Sequence, residues 1–226
     1  MIARTGWLNY CIWEHSETVK QLYERRAALQ EEEMTCAAQA AEWLAGRVQP
    51  GDTLLDAGCG SGYFFHSLAK RNIPAAYFGI DAAPSLVEIG RRILPRFGLP
   101  EENLQVLRFD DLDGAVDHVV CMNVLSNLDN YHRPLERFLK MARKTVVLRE
   151  SCKEQGEYHY VVDKYLDDGV PLKVHVNAYP LAEVMDFIRS CGFDVTCEMD
   201  RRTQDQPENV IDHPHYWKFL MAVRRA

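Results

Sequence analysis

Three glycines at alternate positions, Gly58, Gly60 and Gly62, form the part of the sequence best suited to hold a ligand. They follow the apolar run 53–57 and precede a helix-like segment that starts at Tyr63. Backbone without side chains can approach a ligand closely, and a helix N-terminus offers unpaired N–H groups to negative charge. The spacing therefore predicts a strand, a ligand-binding loop and a helix, in that order.

Two acidic residues flank this loop. Asp81 ends a second apolar run after the loop, where an acid can accept hydrogen bonds from both hydroxyls of an adenosine ribose. Asp56 precedes Gly58 by two positions and favours a ligand with a cationic group, such as the amine and the sulfonium of S-adenosylmethionine. Together the two acids predict a nucleoside-cofactor site at the carboxyl edge of a parallel sheet.

The spacing of the glycines also indicates which class of nucleotide ligand the loop can bind. A dinucleotide fingerprint, Gly-x-Gly-x-x-Gly/Ala, would need a small residue at position 63, where this chain has Tyr63. A P-loop would need Gly-Lys-Ser/Thr, which does not follow the glycines. S-adenosylmethionine is therefore favoured, and an NAD-dependent enzyme is kept as a less favoured alternative.

The elements that must position these residues follow a regular alternation. Strand-like apolar runs occupy 53–57, 76–80, 104–109, 116–122 and 145–148, and helix-like segments lie between them at 63–71, 84–94 and 135–142. Parallel strands need crossover connections, which are usually helices. The alternation predicts a doubly wound α/β domain with helices on both faces of the sheet.

The flanking segments complete one predicted domain over residues 1–226. Residues 1–48 read as a helical N-terminal cap, with Ser16 as a helix N-cap, and 49–150 as the cofactor-binding core. The alternation stops at 151–180, which we interpret as an insertion and probable substrate region. Residues 181–226 predict a helix and a pair of strands separated by a polar loop.

The motifs resemble those of the class I S-adenosylmethionine-dependent methyltransferases, of the small-molecule type. Segment 55–62 resembles their motif I, 79–81 their motif II, 109–111 the acidic element after strand three, and 117–125 the strand-four segment. The resemblance covers about residues 50 to 150 well and the C-terminus more loosely. It implies a Rossmann-like, mostly parallel seven-stranded sheet with an N-terminal helical lid.

The resemblance implies a site for S-adenosylmethionine, with S-adenosylhomocysteine as the product. Asp56 and the glycines would hold the methionine end, Asp81 the ribose, Ala82 would pack near the adenine, and Asp110 would accept a bond from the exocyclic amine. Asp111 is an equal alternative to Asp110, and Asn123 would lie beside the transferred methyl. The expected cofactor-binding residues are Asp56, Gly58, Cys59, Gly60, Gly62, Asp81, Ala82, Asp110, Asp111 and Asn123.

Acceptor and base candidates come from the segments outside the core. The aromatic rings of the cap and the insertion could exclude water around a flat or apolar acceptor. Rings expected in this lid are Trp7, Tyr10, Trp13, Tyr23, Tyr158, Tyr160 and Tyr165, of which Trp13, Tyr23, Tyr158 and Tyr160 are the substrate candidates. A general base is needed only if the acceptor must lose a proton, and the candidates are His159, His175 and Glu150.

The composition of the chain limits the classes of binding partner that we expect. The net charge of −7 disfavours a nucleic-acid partner. The seven cysteines are scattered without a Cys-x-x-Cys pair, so we expect no metal site and a cytoplasmic location, and no apolar stretch predicts a membrane segment. The predicted function is methyl transfer to a small molecule; the alternatives are an RNA or protein methyltransferase and a non-catalytic cofactor binder.

Overall fold

The computed structural model describes residues 6–226; residues 1–5 of the predicted cap and the side chain of Trp7 lie outside this description. The strands in this range are β1 Thr53–Ala57, β2 Ala76–Asp81, β3 Leu104–Val106, β4 Val116–Met122, β5 Ala142–Lys153, β6 Tyr160–Val162, β7 Lys173–His175, β8 Tyr179–Pro180, β9 Phe193–Met199, β10 Glu208–Val210, β11 His213–His215 and β12 Trp217–Arg224. The helices are α1 Glu17–Ala27, α2 Thr35–Ala45, α3 Phe64–Lys70, α4 Pro84–Ile93, α5 His132–Met141 and α6 Leu181–Ser190.

Seven strands form the path of the central sheet, in the order β3-β2-β1-β4-β5-β12-β9. Strands β1 to β5 pair in parallel, whereas β12 is antiparallel to both β5 and β9. The short strand β8 adds an eighth member beside the end of β5. The predicted mostly parallel, seven-stranded arrangement is confirmed, and the strand order reverses between β1 and β4, where ligands bind in open α/β sheets.

Helices cover both faces of the sheet. Leu54 packs in a core formed with α2, α3 and α4, and the next residue, Leu55, packs in a separate core with α5 and α6. Successive side chains of a strand point to opposite faces, so these neighbouring apolar residues require cover on both sides. The doubly wound architecture predicted from the alternation is therefore present.

The N-terminal segment differs from a continuous helix. Ser16 caps α1 as predicted, because its hydroxyl accepts a hydrogen bond from the N–H of Val19 at 3.4 Å. The helix ends at Ala27, Leu29 takes a left-handed φ of 57°, and a second helix begins at Thr35. Glu33, between the two helices, pairs with Arg71 after α3, a tertiary contact that helical periodicity could not reveal.

Two hairpins lie outside the central sheet at its carboxyl edge. Strands β6 and β7 pair within the predicted insertion, and β10 pairs with β11 in the segment predicted as a polar loop. A small apolar core of Ile12, Val174, Val176 and Ile211 joins the N-terminal segment to both regions. Within residues 6–226, every helix is too short or too polar to cross a bilayer.

Candidate active site

A cavity of about 790 Å³ opens at the carboxyl edge of the parallel strands. It extends from the glycine loop and Asp81 to the two hairpins. Predicted site residues that line it are Gly58, Asp81, Ala82, Asp110, Asn123, Trp13, Tyr23, Tyr160 and His175. Predicted residues from the N-terminal cap, the core and the insertion therefore meet at one cavity.

Other predicted residues lie outside the lining of this cavity. These are Asp56, Cys59, Gly60, Gly62, Asp111, Glu150, Tyr158 and His159. Asp110 rather than Asp111 faces the cavity, which separates two residues that the sequence left equal. Cys59 is buried beneath the loop, where its Sγ lies close to Gly79.

Asp81 fixes the shape of the glycine loop. Its carboxylate accepts hydrogen bonds from the N–H of Gly60 and from the N–H of Ala83, both at 2.8 Å. The carbonyl of Ile80 accepts from the N–H groups of Gly58 and Cys59. Burial raises the pKa of Asp81, an effect that these backbone hydrogen bonds oppose. Asp81 thus orders the loop and also presents its carboxyl group to the cavity.

Asp56 lies on the buried side of β1 and is only 4% exposed. Its Oδ2 accepts a hydrogen bond of 2.7 Å from the hydroxyl of Tyr77. Burial raises the pKa of this carboxyl to about 7. The described geometry gives Asp56 a partner inside the protein and no direct access to the cavity.

Aromatic side chains from α1 and the loop cover the glycines. The rings of Tyr23 and Tyr63 meet edge to face with centroids 5.7 Å apart, and the guanidinium of Arg26 lies 5.3 Å from each centroid. The hydroxyl of Ser61 donates to the backbone carbonyl of Tyr23 at 3.0 Å. The position that excludes a dinucleotide fingerprint, Tyr63, is therefore used to anchor the N-terminal segment.

Asn123 follows β4 and lines the cavity. Its backbone has a left-handed φ of 62°, which asparagine tolerates better than most residues. Its side-chain oxygen accepts a hydrogen bond from the guanidinium of Arg149. Arg149 in turn pairs with Asp200 at 2.8 Å and lies 4.3 Å from the ring centroid of Trp217. Residues of β4, β5 and β12 are thereby linked along one wall.

Glu150 holds the loop after β4. Its carboxylate accepts hydrogen bonds from the N–H groups of Val124, Leu125 and Ser126 and from the Ser126 hydroxyl, at 2.8–3.0 Å. It is 3% exposed and does not line the cavity. Glu150 therefore supports the loop that carries Asn123 and, in this geometry, does not face the cavity.

The two candidate histidines differ in their position relative to the cavity. His159 stacks on His213 with centroids 4.0 Å apart and lies outside the cavity lining. His175 lines the cavity and stacks on Tyr160 with centroids 4.5 Å apart. Of the three base candidates, only His175 reaches the cavity.

Sequence reasoning missed several residues of the cavity wall. The missed residues include Arg149, Lys173, Arg202, His215 and Trp217. Arg149 carried a usable signal, because a charged residue inside an apolar strand needs a buried partner. The residues of the second hairpin carried none, since a polar loop with prolines gives no indication of which way its side chains point.

The residues present fit a nucleoside cofactor at the first end of the cavity. Asp81 supplies a carboxylate, Ala82 and Leu86 supply apolar surface, and Asp110 supplies a second acid at the rim. The glycines of the loop take left-handed φ values, 81° at Gly58 and 57° at Gly60, which only glycine adopts readily. This donor set suits a ribose and a base more than it suits a polyphosphate, which would be repelled by both acids.

Part of the chain is similar to known methyltransferases. Residues 55–148 match the family model of a methyltransferase domain. A curated relative, the ribosomal protein L11 methyltransferase of Burkholderia mallei (strain NCTC 10229), is 42% identical over 92 residues, which are 38% of this chain and 27% of that protein. The chain therefore spans about a quarter of the length of the curated relatives it matches.

Two solved structures share the fold over most of the chain. Magnesium protoporphyrin IX methyltransferase from Synechocystis PCC 6803, with bound S-adenosylhomocysteine, superposes with a TM-score of 0.65 at 16% identity, covering 96% of this chain and 97% of that chain. The mitomycin 7-O-methyltransferase MmcR superposes with a TM-score of 0.60 at 16% identity, covering 92% of this chain and 57% of that chain.

Proposed function

We propose that this chain, which carries a class I S-adenosylmethionine-dependent methyltransferase domain, transfers the methyl group of S-adenosylmethionine to a small molecule. The observation that carries the proposal is the single cavity that joins Asp81 at one end to Trp217 at the other. Asn123 lines the same cavity, and we assign it to the place where a donor and an acceptor would meet.

The chain's own contribution is positioning and exclusion of water. When bound, S-adenosylmethionine supplies an electrophilic methyl carbon on a sulfonium. We assign Asp81 to the ribose hydroxyls and Asp110 to the base, and Asn123 to the border between cofactor and acceptor. Trp13 and Tyr23 cover the cavity from the N-terminal side and Tyr160 covers it from the insertion, so that two groups are held together away from solvent.

The size of the cavity supports a small acceptor. Ligand pockets typically enclose about 300–1,000 Å³, and about 790 Å³ leaves room for an acceptor beside a nucleoside cofactor. The net charge of −7 opposes an RNA acceptor. The matched relatives carry the name of a protein methyltransferase, but the match extends over only 92 residues, 38% of this chain and 27% of that protein. A cytoplasmic location stays a prediction.

Two measurements test the proposal. Calorimetric titration should give saturable binding of S-adenosylhomocysteine and none of NAD; the reverse result would contradict the assignment of the cofactor. Labelled S-adenosylmethionine incubated with the protein and a cell extract should then place the label in the small-molecule filtrate. Label in the protein or RNA fraction would favour those alternatives, and cofactor binding without any transfer would favour a non-catalytic binder.

A further inference from the structure

Lys173 is a cation of the cavity wall without an acidic partner. It begins β7, is exposed to solvent and lines the cavity on the side of the insertion. No carboxylate within residues 6–226 forms an ion pair with its ammonium group. The ammonium instead lies near the ring of Tyr160, with Nζ 5.6 Å from the ring centroid. The charge of Lys173 is therefore available to a ligand.

The other four cations of the cavity lining each lie beside a carboxylate, at distances up to 3.9 Å. The pairs are Arg149 with Asp200, Arg202 with Glu208, and both Arg108 and Arg133 with Asp110. A neighbouring carboxylate offsets most of the attraction that a cation exerts on an anionic ligand. Lys173 differs from these residues because no acid neutralises it.

The hairpins give their end of the cavity an excess of positive charge. The lining residues that come after β5 in the chain include two cations, Lys173 and Arg202, and one acid, Glu208. Asp129, an exposed acid of the loop after β4, also lines the cavity but forms no ion pair with Lys173. The chain as a whole has a net charge of −7. A local charge of opposite sign to that of the whole molecule favours a ligand that is anionic.

The register of β6 and β7 places this cation beside two rings. Tyr160 pairs with His175, and Lys173 lies two positions before His175, so the three side chains share one face of the hairpin. The rings of Tyr160 and His175 stack with centroids 4.5 Å apart. Val161 and Val174, on the opposite face, pack in the small apolar core and hold the hairpin in place. The cavity thus has a flat aromatic surface with a cation at its edge.

We propose that the methyl acceptor is a flat molecule that carries an oxyanion, a carboxylate or a phosphate, and that Lys173 binds this group; the inference rests on the proposed function. The planar part of the acceptor packs against the ring of Tyr160. The oxyanion accepts hydrogen bonds from the ammonium, which offers three N–H donors on a flexible stem. Lys173 is in this way a residue that determines which acceptor is selected.

Other acceptor classes fit this end of the cavity less well. An acceptor with an ammonium group would be repelled by the unneutralised charge of Lys173. A neutral acceptor would leave Lys173 with only solvent and the ring of Tyr160 as partners. A nucleic acid is anionic, but its many phosphates would also face the net negative charge of the rest of the chain.

The test compares 2-naphthoate with 2-naphthamide on the protein saturated with S-adenosylhomocysteine. The two probes share a ring system and differ in charge. We expect the wild type to bind the naphthoate about threefold to fivefold more tightly in a fluorescence titration. The preference should decrease as NaCl rises from about 50 mM to about 500 mM, because salt screens an exposed ion pair. In the same titration 2-naphthyl phosphate identifies the oxyanion: tighter binding than that of the naphthoate assigns a phosphate, and equal or weaker binding a carboxylate.

Substitutions at two lysines of the insertion locate the contact. Lys173→Met should abolish the preference for the naphthoate, whereas Lys173→Arg should keep it because the charge is retained. Lys164→Met is the matched control, since Lys164 lies outside the cavity lining and its loss changes the net charge equally. The control should keep the preference. An equal loss in Lys164→Met, or an unchanged preference in Lys173→Met, would overturn the role of Lys173.

The outcomes distinguish the two proposals. Failure of the wild type to bind S-adenosylhomocysteine would contradict the proposed function itself. Cofactor binding with equal affinities for naphthoate and naphthamide, or without any binding of naphthoate, would overturn the anionic acceptor and leave the methyltransferase proposal standing. Both lysines are exposed, so each variant should match the wild type in urea denaturation.

Discussion

The ring of Tyr23 fills the space that a side chain at Gly60 would occupy. A β-carbon at Gly60 would overlap Cε1 of Tyr23 and lie 2.6 Å from its Cδ1. Gly60 therefore accommodates the covering helix α1 as well as the turn of the loop. The contact also explains why Gly60 itself is absent from the lining of the cavity.

Gly60→Ala should destabilise the protein beyond the strain of its backbone. The left-handed φ of 57° costs an alanine about 1–2 kcal/mol, and the overlap with Tyr23 adds about 1–3 kcal/mol. Gly98→Ala is the control, because Gly98 also has a positive φ, 93°, but has open space around it. Urea denaturation measures both, and equal losses would show that the Tyr23 contact does not matter.

Asp81→Asn should weaken binding of S-adenosylhomocysteine by about tenfold to a hundredfold. The change removes charge-assisted bonds to the ribose, worth about 1.5–3 kcal/mol, while an amide oxygen can still accept from the loop. Calorimetry gives the affinity. Asp111→Asn, outside the cavity lining, should bind normally, and unchanged affinity in Asp81→Asn would reduce Asp81 to a loop-ordering role.

Asp56→Asn should stabilise the protein at alkaline pH. The pKa of Asp56 is raised from 3.8 to about 7, so its protonated form is favoured by folding. That contribution is complete below pH 3.8 and is lost as pH rises through about 7, where ionisation costs up to about 4 kcal/mol. The gain of Asp56→Asn over wild type should grow across this interval in thermal melts. Asp168→Asn, at an exposed position, is the control for the removal of one carboxylate.

Asp200→Asn should lower the free energy of unfolding by about 3–5 kcal/mol, because it leaves the guanidinium of Arg149 buried without its counter-charge. Arg149 is 1% exposed and Asp200 is fully buried. Glu136→Gln breaks an exposed pair with Lys140 on α5 and should lower the free energy of unfolding far less, because solvent screens that pair. An equally small decrease in the free energy of unfolding for Asp200→Asn would mean that water molecules solvate the guanidinium of Arg149 in the variant.

Asp167→Ala should loosen the cover of the cavity. The side chain of Asp167 accepts a 2.9 Å hydrogen bond from the N–H of Glu17, and its own N–H donates to the carbonyl of His15. This contact joins the start of α1 to the insertion. Hydrogen exchange with S-adenosylhomocysteine bound should show less protection at 12–27 in the variant. Asp168→Ala is the neighbouring control, and identical exchange in all three proteins would contradict a joint cover.

The central sheet was predictable because each element carries its own periodicity. The strand over 116–122 and the helix over 181–190 have the predicted limits, since apolar runs and flanking glycine or proline define them locally. Strand β5 is longer than predicted, reaching Lys153, because the polar residues Arg149, Glu150 and Ser151 are satisfied by tertiary partners that no local pattern shows.

The lining of the cavity near the glycine loop was easier to predict than the lining near the hairpins. Gly58, Asp81 and Asn123 follow strands whose carboxyl ends must meet, so topology alone brings them together. Tyr158 and Tyr160 illustrate the difficulty at the other end. They lie two positions apart in the insertion, yet only Tyr160 lines the cavity. Tyr160 belongs to β6 and pairs with His175 of β7, whereas Tyr158 precedes the strand.

Within residues 6–226, the hairpins β6–β7 and β10–β11 form separate two-stranded sheets and do not pair with the strands of the central sheet, which carries the glycine-loop end of the cavity. The proposed cofactor site and the proposed acceptor site thus draw mainly on separate stretches of chain. Segments 154–178 and 201–216 could be exchanged together with those of another protein of this fold without altering the glycine loop. On the proposed function, these two segments are the ones to exchange when the methyl acceptor is to be changed while the central sheet is kept.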